Sequence, residues 1–194
     1  ENGFVVTKPA LSEIELMDFE EVGTLEAFNT DGLRSILETM PHIPNLKEKT
    51  LRYPGHASLI MSLQRAGFFA TEPVDINGIV VSPLHFTTSI LFKEWHLAPM
   101  EEEYTVMCVL VKGIKEGIPA SIEYRLLDRY DTTTKTTSMA RSTGYTCTGA
   151  VHLIAQKLFK KKGVYPPELI GSDPACFDYI LGHLSLRNVM WKKK

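Results

Sequence analysis

Between Lys49 and His56 the chain reads Lys-Thr-Leu-Arg-Tyr-Pro-Gly-His, its densest gathering of side chains able to do chemistry. A short strand here would deliver Arg52 and Tyr53 to opposite faces. The Pro54-Gly55 turn would then present His56 at the start of a helix. Arginine can grip a carboxylate through two parallel hydrogen bonds, and a histidine titrating near neutrality can relay protons. The same residues also fit a plainer arrangement, with Arg52 in a structural ion pair and His56 capping a helix.

Two further clusters stand out. Thr136 to Tyr145 (Thr-Thr-Ser-Met-Ala-Arg-Ser-Thr-Gly-Tyr) is rich in hydroxyls. It could line a polar pocket or hold an anion where a helix begins, or be a solvated, Thr-rich edge strand. Glu26 to Arg34 mixes acid, amide and base around a helix start, where Asn29, Thr30 and Asp31 suit capping and Glu26 could pair with Arg34.

The elements that must position these groups alternate in type. Phe4–Val6 and Glu20–Leu25 suit short strands. A helix carrying Leu33, Ile36, Leu37 and Met40 stops at Pro41 and Pro44. A second helix follows Pro54-Gly55, with Gly67 at its end. Ile76–Val81 suits a strand, and Ser82-Pro83 caps and opens a third helix. Thr105–Val111 is apolar on both faces, which predicts a central, fully buried strand. Ser121–Leu126 alternates, and Asp131–Thr134 turns the chain into a third meander strand over Thr136–Ser142. A helix from about Thr146 runs to Lys160–Lys162 and Gly163. Asp173-Pro174 starts a last helix with Phe177, Ile180, Leu181 and Leu184 inside, and Trp191–Lys194 is expected to fray.

The pattern predicts an α+β (mixed α/β) fold, a mixed and largely antiparallel sheet flanked by helices, built as a single domain over residues 1–194. No Gly-x-Gly-x-x-Gly follows a strand, so no Rossmann domain is expected in this chain. A length of 194 residues is enough for a core without staples, and a formal charge of -2 argues against nucleic acid or an anionic membrane as partner. Cys108, Cys147 and Cys176 are odd in number and widely spaced, which predicts buried free thiols in a reducing, cytoplasmic setting. Histidines lack zinc-ligand spacing, so no metal site is expected. No Gly-x-Ser-x-Gly elbow is present.

Gly23–Arg34 and Lys49–His56, followed in order by Ser138–Tyr145 and Gly163–Glu168, resemble the saccharopine dehydrogenase-like family from about Ala10 to Arg187. The resemblance implies an enzyme that oxidises or forms a C–N bond at an amino acid such as lysine or saccharopine, using NAD or NADP. It places this chain as the second, C-terminal domain, which closes over substrate and makes a homodimer contact. That domain is similar to its counterpart in glyceraldehyde-3-phosphate dehydrogenase-like enzymes. The nucleotide would be bound mainly by a domain absent here, against which residues 173–194 would pack. The missing initiator Met fits a chain cut from a longer one. Within the resemblance, His56 and Tyr53 are the proton-handling candidates and Arg52 and Arg141 the carboxylate anchors. Thr143, Tyr145, Asn29 and Asp31 would orient substrate groups. The competing expectation is a non-catalytic ligand-binding or oligomerisation module that keeps the fold.

Overall fold

The computed structural model describes residues 1–194 and divides into two compact units, Glu1–Leu97 and Ala98–Lys194. Both are built from antiparallel sheets and helices, the α+β class that the sequence pattern predicts, but the strands fall into three small sheets rather than the one expected, with six helices.

In the first unit, β1 (Glu15–Phe19), β2 (Gly23–Asn29) and β3 (Lys49–Arg52) form a sheet with β2 in the middle. Leu25, Glu26, Ala27 and Phe28 are all buried, so β2 is covered on both faces. Alternation puts Glu26 and Phe28 on one face, and the register sets Glu26 opposite Arg52. A four-residue helix α1 (Ile36–Thr39) is all that forms of the first expected helix. The helix after Pro54-Gly55 is α2 (His56–Arg65). Gly55 has φ +102° and Gly67 φ +85°, left-handed values that favour glycine and let the chain enter and leave α2 sharply. The strand expected over Ile76–Val81 is instead a hairpin, β4 (Val74–Ile76) and β5 (Ile79–Val81). Asn77 and Gly78 turn it with positive φ, and Asp75 accepts the Gly78 N–H at 2.8 Å. Helix α3 (Pro83–Glu94) opens as expected on Ser82 and Pro83.

In the second unit, β6 (Tyr104–Lys115) and β7 (Ile118–Arg129) make a long hairpin closed by Glu116-Gly117, and β8 (Trp191–Lys193) pairs on the other side of β7. Helix α4 (Ser138–Ala155) is followed by α5 (Pro167–Gly171) and α6 (Pro174–Ser185). Leu126, Leu184 and Val189 form the core, with Tyr145, Ile180 and Trp191 packed on it. Gly149 lets α4 approach α6 closely: a Cβ there would stand 3.1 Å from the His183 ring and from Ile180.

Several expectations are corrected. Phe4–Val6 is not a strand and lies exposed. Of the strand expected over Glu20–Leu25, residues 20–22 are the turn after β1 and only residues 23–25 are strand, the start of β2. Of the thiols expected to be buried, Cys176 is, whereas Cys147 is exposed and Cys108 half-buried. The strand expected to be central and fully buried, β6, is the outer strand of its sheet, with Met107, Val109, Leu110 and Val111 exposed. Thr136–Ser142 is not a strand: Thr137 caps α4, accepting the Ala140 N–H at 3.2 Å, and the helix begins eight residues before Thr146. The hydroxyls that favour a strand also favour an N-cap, and the carboxylate of Glu103 settles the matter by accepting from both the backbone N–H and the hydroxyl of Ser138. Trp191–Lys193 does not fray but pairs with Tyr124–Leu126.

Candidate functional site

The structure brings Arg52, Tyr53 and His56 together at the corner where β3 turns into α2. What holds that corner is Glu26, which is only 5 % exposed. Its Oε2 accepts the Gly55 N–H at 3.0 Å and its Oε1 the Ala57 N–H at 2.6 Å. These are two of the four N–H groups a helix start leaves without an internal partner, and a negative charge there is favoured by the helix dipole. Glu26 therefore does not pair with Arg34, which lies 3.9 Å from Asp31 instead.

His56 sits between two aromatic rings. Phe28 stacks on it at 6.1 Å between centroids and an interplanar angle of 7°, and Trp95 lies tilted at 5.9 Å. Partial burial pushes the His56 pKa below its ordinary value, the nearby Arg52 charge adds to that, and Glu26 opposes it. The imidazole is therefore neutral near pH 7 and able to accept a proton. Arg52 shares the sheet face with Glu26 but makes no ion pair with it. Its Nη1 donates to the Leu51 carbonyl at 2.8 Å, and the rest of the exposed guanidinium meets no carboxylate. Tyr53 is largely exposed beside it.

Asn29 and Asp31 lie just beyond, at the end of β2, and do different work. The Asn29 amide donates to Ser12 Oγ at 3.0 Å and Glu13 Oε2 at 3.2 Å, tying down the segment before β1. The Asp31 side chain is 94 % exposed.

Arg141, Thr143 and Tyr145 belong to the other unit, on the first turns of α4. Arg141 is 5 % exposed and engaged on every side. Nε and Nη2 grip Asp128 at 2.9 and 3.2 Å, Nη1 donates to Asp131 at 2.9 Å, and Nη2 also reaches the Arg187 carbonyl at 3.1 Å. It ties α4 to the end of β7 and to the chain after α6, which leaves its guanidinium committed inside the unit. The guanidiniums of Arg141 and Arg187 both lie over the Tyr145 ring, 5.8 and 5.6 Å from its centre. The exposed Thr143 hydroxyl reaches only the Met139 sulfur, at 3.9 Å.

Sequence reasoning missed Glu26, Phe28 and Trp95 as parts of the corner. The available signal was a lone carboxylate inside the apolar run Leu25–Phe28, because a buried charge must have strong partners.

These features define an antiparallel α+β domain whose exposed corner offers an arginine and a neutral histidine. The match to the saccharopine dehydrogenase C-terminal domain spans residues 1–189, and the chain belongs to that family, the C-terminal part of saccharopine dehydrogenase-type oxidoreductases.

Proposed function

We propose that this chain binds the amino-acid substrate of a saccharopine dehydrogenase-type oxidoreductase acting on the CH–NH group of saccharopine or lysine. The observation that carries the reading is the Arg52 guanidinium, exposed and unclaimed by any carboxylate, next to the neutral imidazole of His56. Arg52 would hold the substrate carboxylate in a two-pronged grip. His56 would take a proton from the substrate ammonium, because a protonated nitrogen has no lone pair with which to form an imine. Tyr53, on the same turn, would carry protons between that site and water. Thr143, Tyr145, Asn29, Asp31 and Arg141 have less support: Asn29 and Arg141 already hold other parts of the fold.

NAD or NADP would accept the hydride. The residues of this chain do not fit that group: all of its strands pair antiparallel, so it lacks the parallel βαβ crevice that cradles a dinucleotide. We assign the cofactor to a nucleotide-binding domain outside this chain. We also propose a homodimer, supported by the exposed apolar residues of the outer strand β6, and a cytoplasmic setting, supported by three free thiols. No helix is long and apolar enough to cross a membrane.

Calorimetric titration of the chain with saccharopine and with lysine, repeated on R52Q, tests the reading. Binding that R52Q weakens supports it; binding that R52Q leaves unchanged moves the carboxylate site elsewhere.

A further inference from the structure

Glu26 has a place that its type does not advertise: its carboxylate holds the backbone on both sides of His56. Its two oxygens accept from Gly55 and Ala57, the residues immediately before and after the histidine. Gly55 is in the left-handed region, so the direction in which the chain enters α2 depends on how that amide is held. On the same sheet face, Phe28 supplies the ring on which the imidazole lies. One strand, β2, thus provides both the anchor for the His56 backbone and the platform for its side chain.

We propose that Glu26 is the positioning residue of this corner: by taking the N–H groups that flank His56, its buried carboxylate fixes the imidazole between Phe28 and Trp95, facing the side on which Arg52 stands. The role deepens the substrate-binding reading and, for its catalytic meaning, rests on it. A second effect follows from the same placement. The charged groups that act on His56 are Arg52 from β3 and Glu26 from β2; Trp95, from the end of α3, is uncharged. Glu26 draws its hydrogen bonds through the backbone and leaves Arg52 unclaimed. It therefore moderates the cation's effect on His56 without occupying the guanidinium that a ligand would need. A direct Glu26–Arg52 ion pair, which their opposed register would allow, would close the site.

The test is nuclear magnetic resonance of the whole chain, following the His56 ring signals through a pH titration together with their through-space cross-peaks to Phe28 and Trp95. E26Q keeps the size and removes the charge, so the His56 midpoint is expected to move to lower pH. E26D keeps the charge but is one methylene too short to reach both amides, so the cross-peaks to Phe28 and Trp95 are expected to vanish. A variant in which the cross-peaks and the midpoint match the unaltered chain overturns the proposal. If E26Q does not fold, E26D decides. An imidazole still seated between both rings overturns the positioning role, and an imidazole displaced from them in a folded chain supports it. Saccharopine titrated into the unaltered chain separates the two readings. Failure to bind there, with the Glu26 variants behaving as stated, removes the substrate assignment and leaves the positioning role standing.

Discussion

Glu26 accepts a hydrogen bond from Ala57 N–H at 2.6 Å, joining the middle of a sheet to the start of a helix 31 residues further along. The pair ties a polar corner together. A carboxylate buried in β2 would be costly alone, and α2 would begin with amides unsatisfied. Together they place His56 between two rings and leave the neighbouring arginine facing water. The second unit uses the same device at α4, where Glu103 accepts from the backbone and hydroxyl of Ser138.

Arg52 is exposed and makes no ion pair, so R52A should leave the fold intact. It should weaken binding of an amino-acid carboxylate about 10- to 100-fold, the weight of a charge-assisted hydrogen bond or a pair of them. Calorimetry with saccharopine and a thermal melt check the two halves. A melting temperature that drops sharply would mean Arg52 is structural.

Arg141 behaves oppositely. D128A strands a buried guanidinium whose two-pronged partner is gone, and breaking a buried pair from one side costs about 3–5 kcal/mol. Asp131 still touches Nη1, which favours the lower end of that range. Urea denaturation measures it; a loss below about 0.5 kcal/mol, the scale of ordinary surface substitutions, would show that the ion pair contributes little.

His183 gives the second unit a pH dependence. It is buried against α4, with Nε2 3.2 Å from Thr148 Oγ1 and the His152 ring 5.4 Å away. Burial lowers its pKa from the ordinary 6.5, with Arg187 and His152 acting in the same direction. The unfolded chain then binds the proton more readily than the folded one. Stability is full above about pH 6.5 and falls as the pH drops from there through the lowered folded value. His56, lowered chiefly by burial and then by the Arg52 charge, contributes in the same direction. Melts between pH 8 and 5 should show this decline, and H183Q should flatten it. An unchanged slope in H183Q would place the dependence on other groups.

The proposed homodimer makes β6 a target. L110K puts a charge on an exposed apolar position of the outer strand. It should halve the mass seen by light scattering while leaving the helix signal intact. A monomeric unaltered chain would contradict the dimer.

Features set by neighbouring residues were legible before the structure. The Pro54-Gly55 entry and Gly67 exit of α2, Ser82-Pro83 before α3 and Asp173-Pro174 before α6 are local rules of backbone geometry and capping, and each appears where expected. Misreadings came where the deciding partner is distant in sequence. An apolar run such as Thr105–Val111 does not reveal whether another strand lies beside it. Thr137 and Ser138 suit a strand or a cap equally until Glu103 is seen beside them. Arg52 and His56 stand out in the sequence because their types advertise chemistry, and the structure places them at one corner. Glu26 was missed because its partners, Gly55 and Ala57, offer only backbone.

The most direct measurement follows the His56 ring signals while saccharopine is added to the unaltered chain. Burial first and the Arg52 charge second hold the His56 pKa down, so a ligand whose carboxylate sits at Arg52 changes the charge that His56 feels. We expect saturable shifts of the His56 signals and a titration midpoint that differs between the free and the bound state, both lost in R52Q. Saccharopine and lysine that bind without disturbing His56, or that do not bind at all, would contradict the assignment of this corner as the amino-acid site.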